Sequence, residues 1–131
     1  MEELVPFNRF LGIQVEALDK GYARLVLPYR AEFVGDPSRP ATHGGVISTL
    51  IDTAAGVAAF MELEHSDRLS TVDLVVDYLL PAGAKTLQAE AQVVRIGNRV
   101  AVVQVTVRQL GVDEVIAQGR AVFNVVRANR G

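Results

Sequence analysis

Two features of the sequence could take part in chemistry: the tripeptide His43-Gly44-Gly45 and the carboxylate of Asp52. The tripeptide opens a long apolar segment without proline, so it is expected at the N-terminus of a helix. The first N–H groups of a helix lack intrahelical acceptors, and glycine lets a ligand approach them closely. A carbonyl oxygen that becomes an oxyanion would be stabilised there. Alternatively, the glycines only ease a tight turn into the helix, which Thr42 or His43 caps.

Asp52 lies inside this apolar segment, residues 44–61, whose other polar side chains are Ser48, Thr49 and Thr53. Burying a carboxylate costs free energy unless it is paired or has a function. Asp52 could therefore be a general base or a nucleophile. It could equally be a structural residue bonded to Ser48, one helical turn earlier, or to neighbouring backbone.

The spacing of these two features predicts that two chains contribute to one site. Gly44 and Asp52 are eight residues apart, which is about 12 Å along a helix. A reacting carbonyl must lie within about 3 Å of both its oxyanion donor and its base or nucleophile. Two antiparallel helices from two subunits could supply both groups, so we expect a homodimer with two equivalent sites.

The elements around this segment follow from its neighbours. Two short alternating stretches, residues 13–18 and 22–27, predict a hairpin. Residues 30–42 contain prolines and predict a loop, and residues 1–11 predict a short helical turn. Four Val-, Ile- and Thr-rich stretches joined by short turns predict long antiparallel strands. They span residues 70–80, 86–96, 99–110 and 114–126.

Segment 44–61 carries an Asp near its centre, so we expect a buried core helix and not a membrane span. One long apolar helix is hidden only if a curved sheet wraps around it, which predicts an α+β fold with about six antiparallel strands. Val100 and Val102 lie on the face opposite Ala101 and Val103. Apolar residues on both faces of the sheet also favour a second subunit.

Composition excludes several classes of function. The 131 residues, 50% hydrophobic and 21% charged, fit a single domain over 1–131. The net charge of −2 with no basic run makes nucleic acid a poor candidate partner. There is no cysteine, and the only histidines are His43 and His65, so we expect no metal site. His65 lies in a polar turn and is not expected to be catalytic. The N-terminus is too polar for a signal peptide, which favours a soluble, cytoplasmic protein with no membrane association.

His43-Gly44-Gly45 followed by Asp52, within HGGVISTLIDTAAGVAA, resembles the hotdog-fold acyl-CoA thioesterases of the PaaI-like (phenylacetate-degradation) type. The resemblance runs from Phe7–Gly12 through the last strand. It implies a hotdog fold, in which an antiparallel sheet wraps a central helix, and assembly into dimers and often tetramers. It also implies hydrolysis of acyl-CoA, without a metal or redox cofactor.

The resemblance also implies roles for individual residues. The Gly44 N–H would polarise the thioester carbonyl, and Asp52 of the other subunit would be nucleophile or general base. Thr71, with Ser70 beside it, matches a hydroxyl residue that helps place water. Where many relatives carry Asn-Pro, this chain has Asp36-Pro37, one residue earlier. A carboxylate there could disfavour ionisation of Asp52.

The substrate is expected to bind in an apolar pocket between subunits, with the CoA nucleotide outside. Gly45, Asp36 and Ser70 are further candidates for substrate contacts. Arg95 and Arg99 are candidates for the phosphates, although they could equally be solvated charges at strand ends, as could Arg127 and Arg130. The candidate pocket residues are Val46, Ile47, Leu50 and Val57, closed by Phe7, Phe10 and Phe33.

Few of these candidates are charged, so an aromatic or medium-chain aliphatic acyl group fits better than a dicarboxylic one. Two other functions stay open at this point. One is a hotdog dehydratase or hydratase acting on hydroxyacyl or enoyl thioesters, which would need an acid–base pair on the β-hydroxyl. The other is a non-catalytic acyl-CoA binding module. Release of free thiol from acyl-CoA distinguishes a thioesterase from both.

Overall fold

The computed structural model describes residues 11–36, 39–64 and 66–128. Its main sheet has six antiparallel strands: β1 (Gln14–Asp19), β2 (Tyr22–Leu27), β5 (Arg68–Tyr78), β6 (Leu87–Ile96), β7 (Val100–Gln109) and β8 (Val115–Val126). A 3₁₀ turn, short strands β3 (Val34–Asp36) and β4 (Arg39–Thr42), and helix α1 (Gly44–Phe60) lie between β2 and β5. The order across the main sheet is β1-β2-β6-β7-β8-β5. The predicted α+β architecture, one long helix on a six-stranded antiparallel sheet, is confirmed.

The segment predicted as a plain loop, residues 30–42, contains more structure than expected. Strands β3 and β4 pair antiparallel, with Val34 opposite Thr42 and Asp36 opposite Arg39. Pro40 is compatible with this pairing because both strands of a two-stranded ribbon are edge strands, where proline is tolerated. The predicted helical turn in residues 1–11 lies almost entirely outside the described residues.

Helix α1 packs on the concave face of the sheet through a set of fully or almost fully buried side chains. They include Ile47, Leu50, Ile51, Ala54 and Ala58. Opposite Ile51 the sheet carries Gly119, where an added Cβ would lie 2.5 Å from the Ile51 Cγ2. A glycine at this point therefore lets the helix approach the sheet more closely than any larger residue would.

The other side of α1 is left partly exposed by the residues that the structure describes. A stripe of exposed or partly exposed residues runs along it at the three- and four-residue spacings of one helix face: Gly45, Ser48, Asp52, Gly56 and Phe60. Within the described residues, α1 is therefore buried on the side that faces the sheet and not, as the sequence predicted, on all sides. Of the polar residues of the helix, Ser48 and Asp52 lie on this stripe, and the partly exposed Thr49 and Thr53 lie directly beside it.

The convex face of the sheet is polar at one end and apolar at the other. At the polar end the Tyr22 hydroxyl donates to Glu90 at 2.7 Å, and Arg108 pairs with the same carboxylate at 3.4 Å. Burial, and next the Glu90 carboxylate, raise the pKa of the Tyr22 phenol. At the apolar end, Val94 and Val100 are 57% and 50% exposed. The predicted apolar residues on both faces of the sheet are therefore present.

Candidate active site

His43 is the N-cap of helix α1, which is the alternative role considered for it. Its Nδ1 accepts a hydrogen bond from the Gly45 N–H at 2.9 Å. Because Nδ1 is the acceptor, the neutral ring carries its proton on Nε2. Because the Gly45 N–H already donates to His43, it is not available to a substrate. Gly45 can contribute only by its lack of a side chain, which leaves room for the substrate.

The Gly44 N–H is the free donor at this helix end. Within the described part of the chain no group accepts a hydrogen bond from it. The Gly44 carbonyl, in contrast, accepts from the Tyr78 hydroxyl at 2.9 Å, and a Cβ added to Gly44 would lie 3.2 Å from the Tyr78 ring. Tyr78, at the end of β5, thus packs over the first turn of the helix and holds this turn in place close to the free Gly44 N–H.

Asp52 is held by the strand next to it. Its Oδ1 accepts a hydrogen bond from the Thr71 Oγ1 at 2.9 Å. The alternative in which Ser48 pairs with Asp52 is not what the structure shows, because the Ser48 and Thr49 hydroxyls both donate to the Gly45 carbonyl. Since a hydroxyl has one proton, Thr71 gives it to Asp52 and offers only lone pairs to a bound water.

Other predicted site residues are placed elsewhere. Ser70 pairs with Asn124 and points to the convex face, away from Thr71, because side chains alternate along a strand. Arg95 lies on the same convex face opposite Val102. Arg99 lies in the β6–β7 turn, beside Asn124 and Arg127. None of these three side chains is brought together with Asp52 in the single chain.

The predicted pocket lining is redistributed as well. Leu50 is fully buried in the core, as is nearly all of Phe33, and Val46 packs against that core. Phe7 and Phe10 lie outside the described residues, as does His65. The backbone of Asp36 forms the end of β3.

A groove that sequence reasoning missed starts at Asp52 and Thr71. It follows the exposed stripe of α1 to Phe60 and has a volume of about 510 Å³. Val57, a predicted lining residue, contributes to it, and Arg68 lies at its rim. A second depression of about 360 Å³ lies at the Gly44 end, beside Tyr78 and Ile47.

Comparison with known proteins identifies the family to which this chain belongs. The family model of the thioesterase superfamily matches residues 40–116, a range that includes His43, Gly44, Asp52, Thr71 and Tyr78. The chain belongs to the thioesterase superfamily. The predicted family and the predicted class of enzyme, a thioester hydrolase, are confirmed.

Individual members of the superfamily resemble this chain over most of its length. A medium/long-chain acyl-CoA thioesterase of Escherichia coli, YigI, is 37% identical over 114 residues, covering 77% of this chain and 74% of that protein. A putative esterase of Halobacterium salinarum is 40% identical over 101 residues, covering 75% of this chain and 66% of that protein.

Solved structures of superfamily members share the fold. A thioesterase family protein from Silicibacter pomeroyi superposes with a TM-score of 0.88 at 27% identity, covering 96% of this chain and 93% of that one. The E. coli PaaI protein from the phenylacetic acid degradation operon gives a TM-score of 0.85 at 25% identity, covering 97% and 87%. Within the described residues, no helix is long and apolar enough to cross a membrane.

The hydrogen bond between Thr71 and Asp52 leads to a first prediction. Thr71→Val keeps the shape of the side chain but removes the donor, so the Asp52 carboxylate loses its anchor and kcat is expected to fall about 10-fold. Thr71→Ser keeps the hydroxyl and is expected to stay within about threefold of the parent. Steady-state hydrolysis of one acyl-CoA by both variants tests this, and equal losses in the two would contradict it.

Proposed function

We propose that this protein is an acyl-CoA thioesterase that hydrolyses medium-chain acyl-CoA at sites shared between two subunits. The observation that carries the proposal is the pair of groups described above. The carboxylate of Asp52, the one charged side chain of helix α1, is oriented by a hydroxyl, and the same helix begins with a free N–H. We also propose that the protein acts in the cytoplasm, where acyl-CoA is made and used.

These groups can catalyse hydrolysis of the thioester bond of acyl-CoA. The Gly44 N–H stabilises the oxyanion that develops on the thioester carbonyl. Asp52 either takes a proton from the attacking water or attacks the carbonyl itself, and water then hydrolyses the anhydride. A C–O bond forms, the C–S bond breaks, and the thiolate of CoA leaves and is protonated. A thiolate is a good leaving group, so this reaction requires neither a strong general acid nor a metal or redox cofactor.

The fold supports the sharing of sites between two copies of the chain. Strand β5 is at the edge of the sheet. It contains neither lysine nor proline, although Val72, Val75 and Tyr78 are 66%, 43% and 52% exposed. Natural proteins rarely leave such an edge open, because it pairs readily with another strand. A β5–β5 pair would extend the sheet across two subunits.

The register of this pair follows from contacts within one chain. Tyr78 contacts Gly44 at one end of β5, and Thr71 contacts Asp52 at the other. A two-fold axis at Val75 would bring Tyr78 of the partner subunit opposite Val72, next to Thr71. The partner's Gly44 would then be carried towards Asp52. If Gly44 of each helix lies opposite Asp52 of the other, the two-fold axis passes near Ser48, which is midway between these two residues along the helix.

This assembly is testable by cross-linking, because the chain has no cysteine of its own. Val75→Cys places a thiol on the proposed axis, where directly opposed Cα atoms are about 4.5–5.5 Å apart, within the range of a disulfide. Oxidation is expected to give a disulfide-linked dimer on a non-reducing gel.

Arg120→Cys is the matched control for this experiment. Arg120 is the neighbour of Val75 on β8, so its two copies would be about 15 Å apart and should not cross-link. Equal yields from the two variants, or a monomer by light scattering with activity intact, would overturn the shared site. The apolar end of the convex face supports a further step of assembly into a tetramer, which light scattering also tests.

The choice of acyl group rests on the groove and on relatives. Beyond Asp52 the groove is lined by the apolar side chains of Val57, Phe60, Leu69 and Phe123 as well as by Thr53, Asp67 and Arg68. The apolar side chains suit an uncharged acyl chain. YigI of E. coli, a relative at 37% identity, is named a medium/long-chain acyl-CoA thioesterase. The sequence alone predicts either an aromatic or a medium aliphatic acyl group, and these observations favour the medium aliphatic chain.

The experiment that tests the function is a panel of acyl-CoA substrates with detection of free thiol. The panel contains butyryl-, octanoyl-, decanoyl-, phenylacetyl- and succinyl-CoA. We expect kcat/KM to be highest for the medium aliphatic chains and lowest for succinyl-CoA. Binding without thiol release would contradict the proposed function, and a preference for phenylacetyl- or succinyl-CoA would contradict the proposed substrate.

A further inference from the structure

The groove that begins at Asp52 has a length set by helix α1. It runs along the exposed stripe from Asp52, past Gly56, to Phe60. Eight residues of helix span about 12 Å. An extended chain advances about 1.2 Å per bond, since three backbone bonds of a peptide span about 3.6 Å. The groove therefore accommodates about ten bonds beyond the carbonyl.

The walls of the groove suit an alkyl chain and not the amide-containing arm of CoA. Val57 and Phe60 from the helix face Leu69 of β5 and Phe123 of β8. The buried carboxylate of Asp67 at the far end is satisfied within the chain. It accepts hydrogen bonds from the N–H groups of Glu64 and Ala128, both at 3.0 Å, and lies 3.7 Å from Arg127.

Gly56 lies halfway along this groove, and its backbone does not require glycine. It is inside an α-helix, and only Gly12, Gly21 and Gly111 among the described glycines have a positive φ. An added Cβ would meet the Phe123 ring at 3.9 Å, an ordinary contact. Glycine in a helix interior is destabilising relative to alanine. The chain thus keeps open space at a position where a side chain would fit.

The proposed dimer leaves this part of the helix accessible. Antiparallel helices that bring the partner's Gly44 beside Asp52 overlap only over residues 44–52. Gly56 and Phe60 lie beyond the N-terminus of the partner helix. The groove therefore continues from the shared site without being filled by that helix.

We propose that the acyl chain lies in this groove, and that Gly56 and Phe60 set the chain length that the enzyme prefers. The inference rests on the proposed function, because distances along the groove are counted from the thioester carbonyl, which that function places between Asp52 and the partner's Gly44. Gly56 is about five bonds from that carbonyl, so chains up to about six carbons end before it or beside it. Longer chains must pass over the glycine and end near Phe60.

The test is the chain-length dependence of kcat/KM from butyryl- to dodecanoyl-CoA in the parent and three variants. Each buried methylene should raise kcat/KM about fourfold until the groove is full. Gly56→Leu fills the passage, so the ratio of the decanoyl to the butyryl kcat/KM should fall about 10²-fold. Gly56→Ala should have a smaller effect in the same direction. Phe60→Ala should move the optimum to longer chains.

A second readout does not depend on turnover. In an Asp52→Asn background, calorimetric affinity for decanoyl-CoA over butyryl-CoA should fall when Gly56→Leu is added. If this preference is unchanged, or if Gly56→Leu lowers all chain lengths by one factor, the assignment of the groove is wrong. If the parent binds acyl-CoA with the expected chain-length preference but releases no thiol, the proposed function fails and the groove assignment stands.

Discussion

Asp52→Asn is expected to lower thioester hydrolysis by about 10²–10⁴-fold or more, because it removes the general base or nucleophile. The substitution is chosen to keep everything else. An asparagine Oδ1 still accepts the Thr71 hydroxyl, which lies 2.9 Å from the Asp52 carboxylate. The helix stripe around it stays polar and partly exposed, so fold and assembly should be unchanged. Thiol release with the best substrate measures the loss.

Asp113→Asn is the matched control for this variant. Asp113 is an exposed residue of the β7–β8 turn, so the same chemical change there should leave turnover intact. Circular dichroism and light scattering establish that both variants fold and assemble as the parent does. Turnover of Asp52→Asn at the parent rate would show that the carboxylate has only a structural role.

The sequence predicted the elements well where a local signal existed. A proline-free apolar segment opened by His-Gly-Gly predicted α1 to within one residue of its observed end at Phe60. Alternation of Val100 with Ala101 and Val103 predicted the two faces of β7. The eight-residue spacing of Gly44 and Asp52 predicted that one chain does not complete the site, and that remains a prediction for cross-linking to test.

The pocket was harder to predict because helix α1 is apolar on nearly every side. With so weak a periodicity, the sequence gives little indication of which apolar residues face the sheet. Leu50 was therefore assigned to the pocket, although it is fully buried against the sheet. The groove itself depends on contacts distant in sequence. Phe123 reaches it only because β8 pairs with β5 in the register that sets Phe123 opposite Thr71.

Tyr78 shows the same limit at the other end of the site. Its hydroxyl meets the Gly44 carbonyl across 34 residues of sequence, and no local pattern marks a tyrosine at the end of a strand as part of a helix N-terminus. The bond nonetheless matters for the shared site. It links Gly44 to the edge strand through which we propose that two chains pair. The position of the helix N-terminus in the dimer therefore depends on the position of that strand.

The Gly44 N–H can be removed without disturbing the helix, and this gives the last prediction. Proline is well tolerated at the first position of a helix. His43, the residue before it, has φ −59° and ψ 136°, the extended conformation that a following proline requires. Gly44→Pro is expected to lower kcat about 10²–10³-fold, because the oxyanion loses its donor. Gly44→Ala adds the same Cβ beside Tyr78 but keeps the N–H, and should retain activity within about threefold.

Mixed dimers then decide whether the two groups come from different chains. In a dimer of one Asp52→Asn chain and one Gly44→Pro chain, one site carries both substitutions and the other carries neither. Random co-assembly makes half of the dimers mixed, so co-expression should restore about a quarter of parent activity. If each chain supplied both groups to its own site, every site would carry one substitution. Activity would then stay at the residual level of the two variants, and the shared mechanism would be wrong.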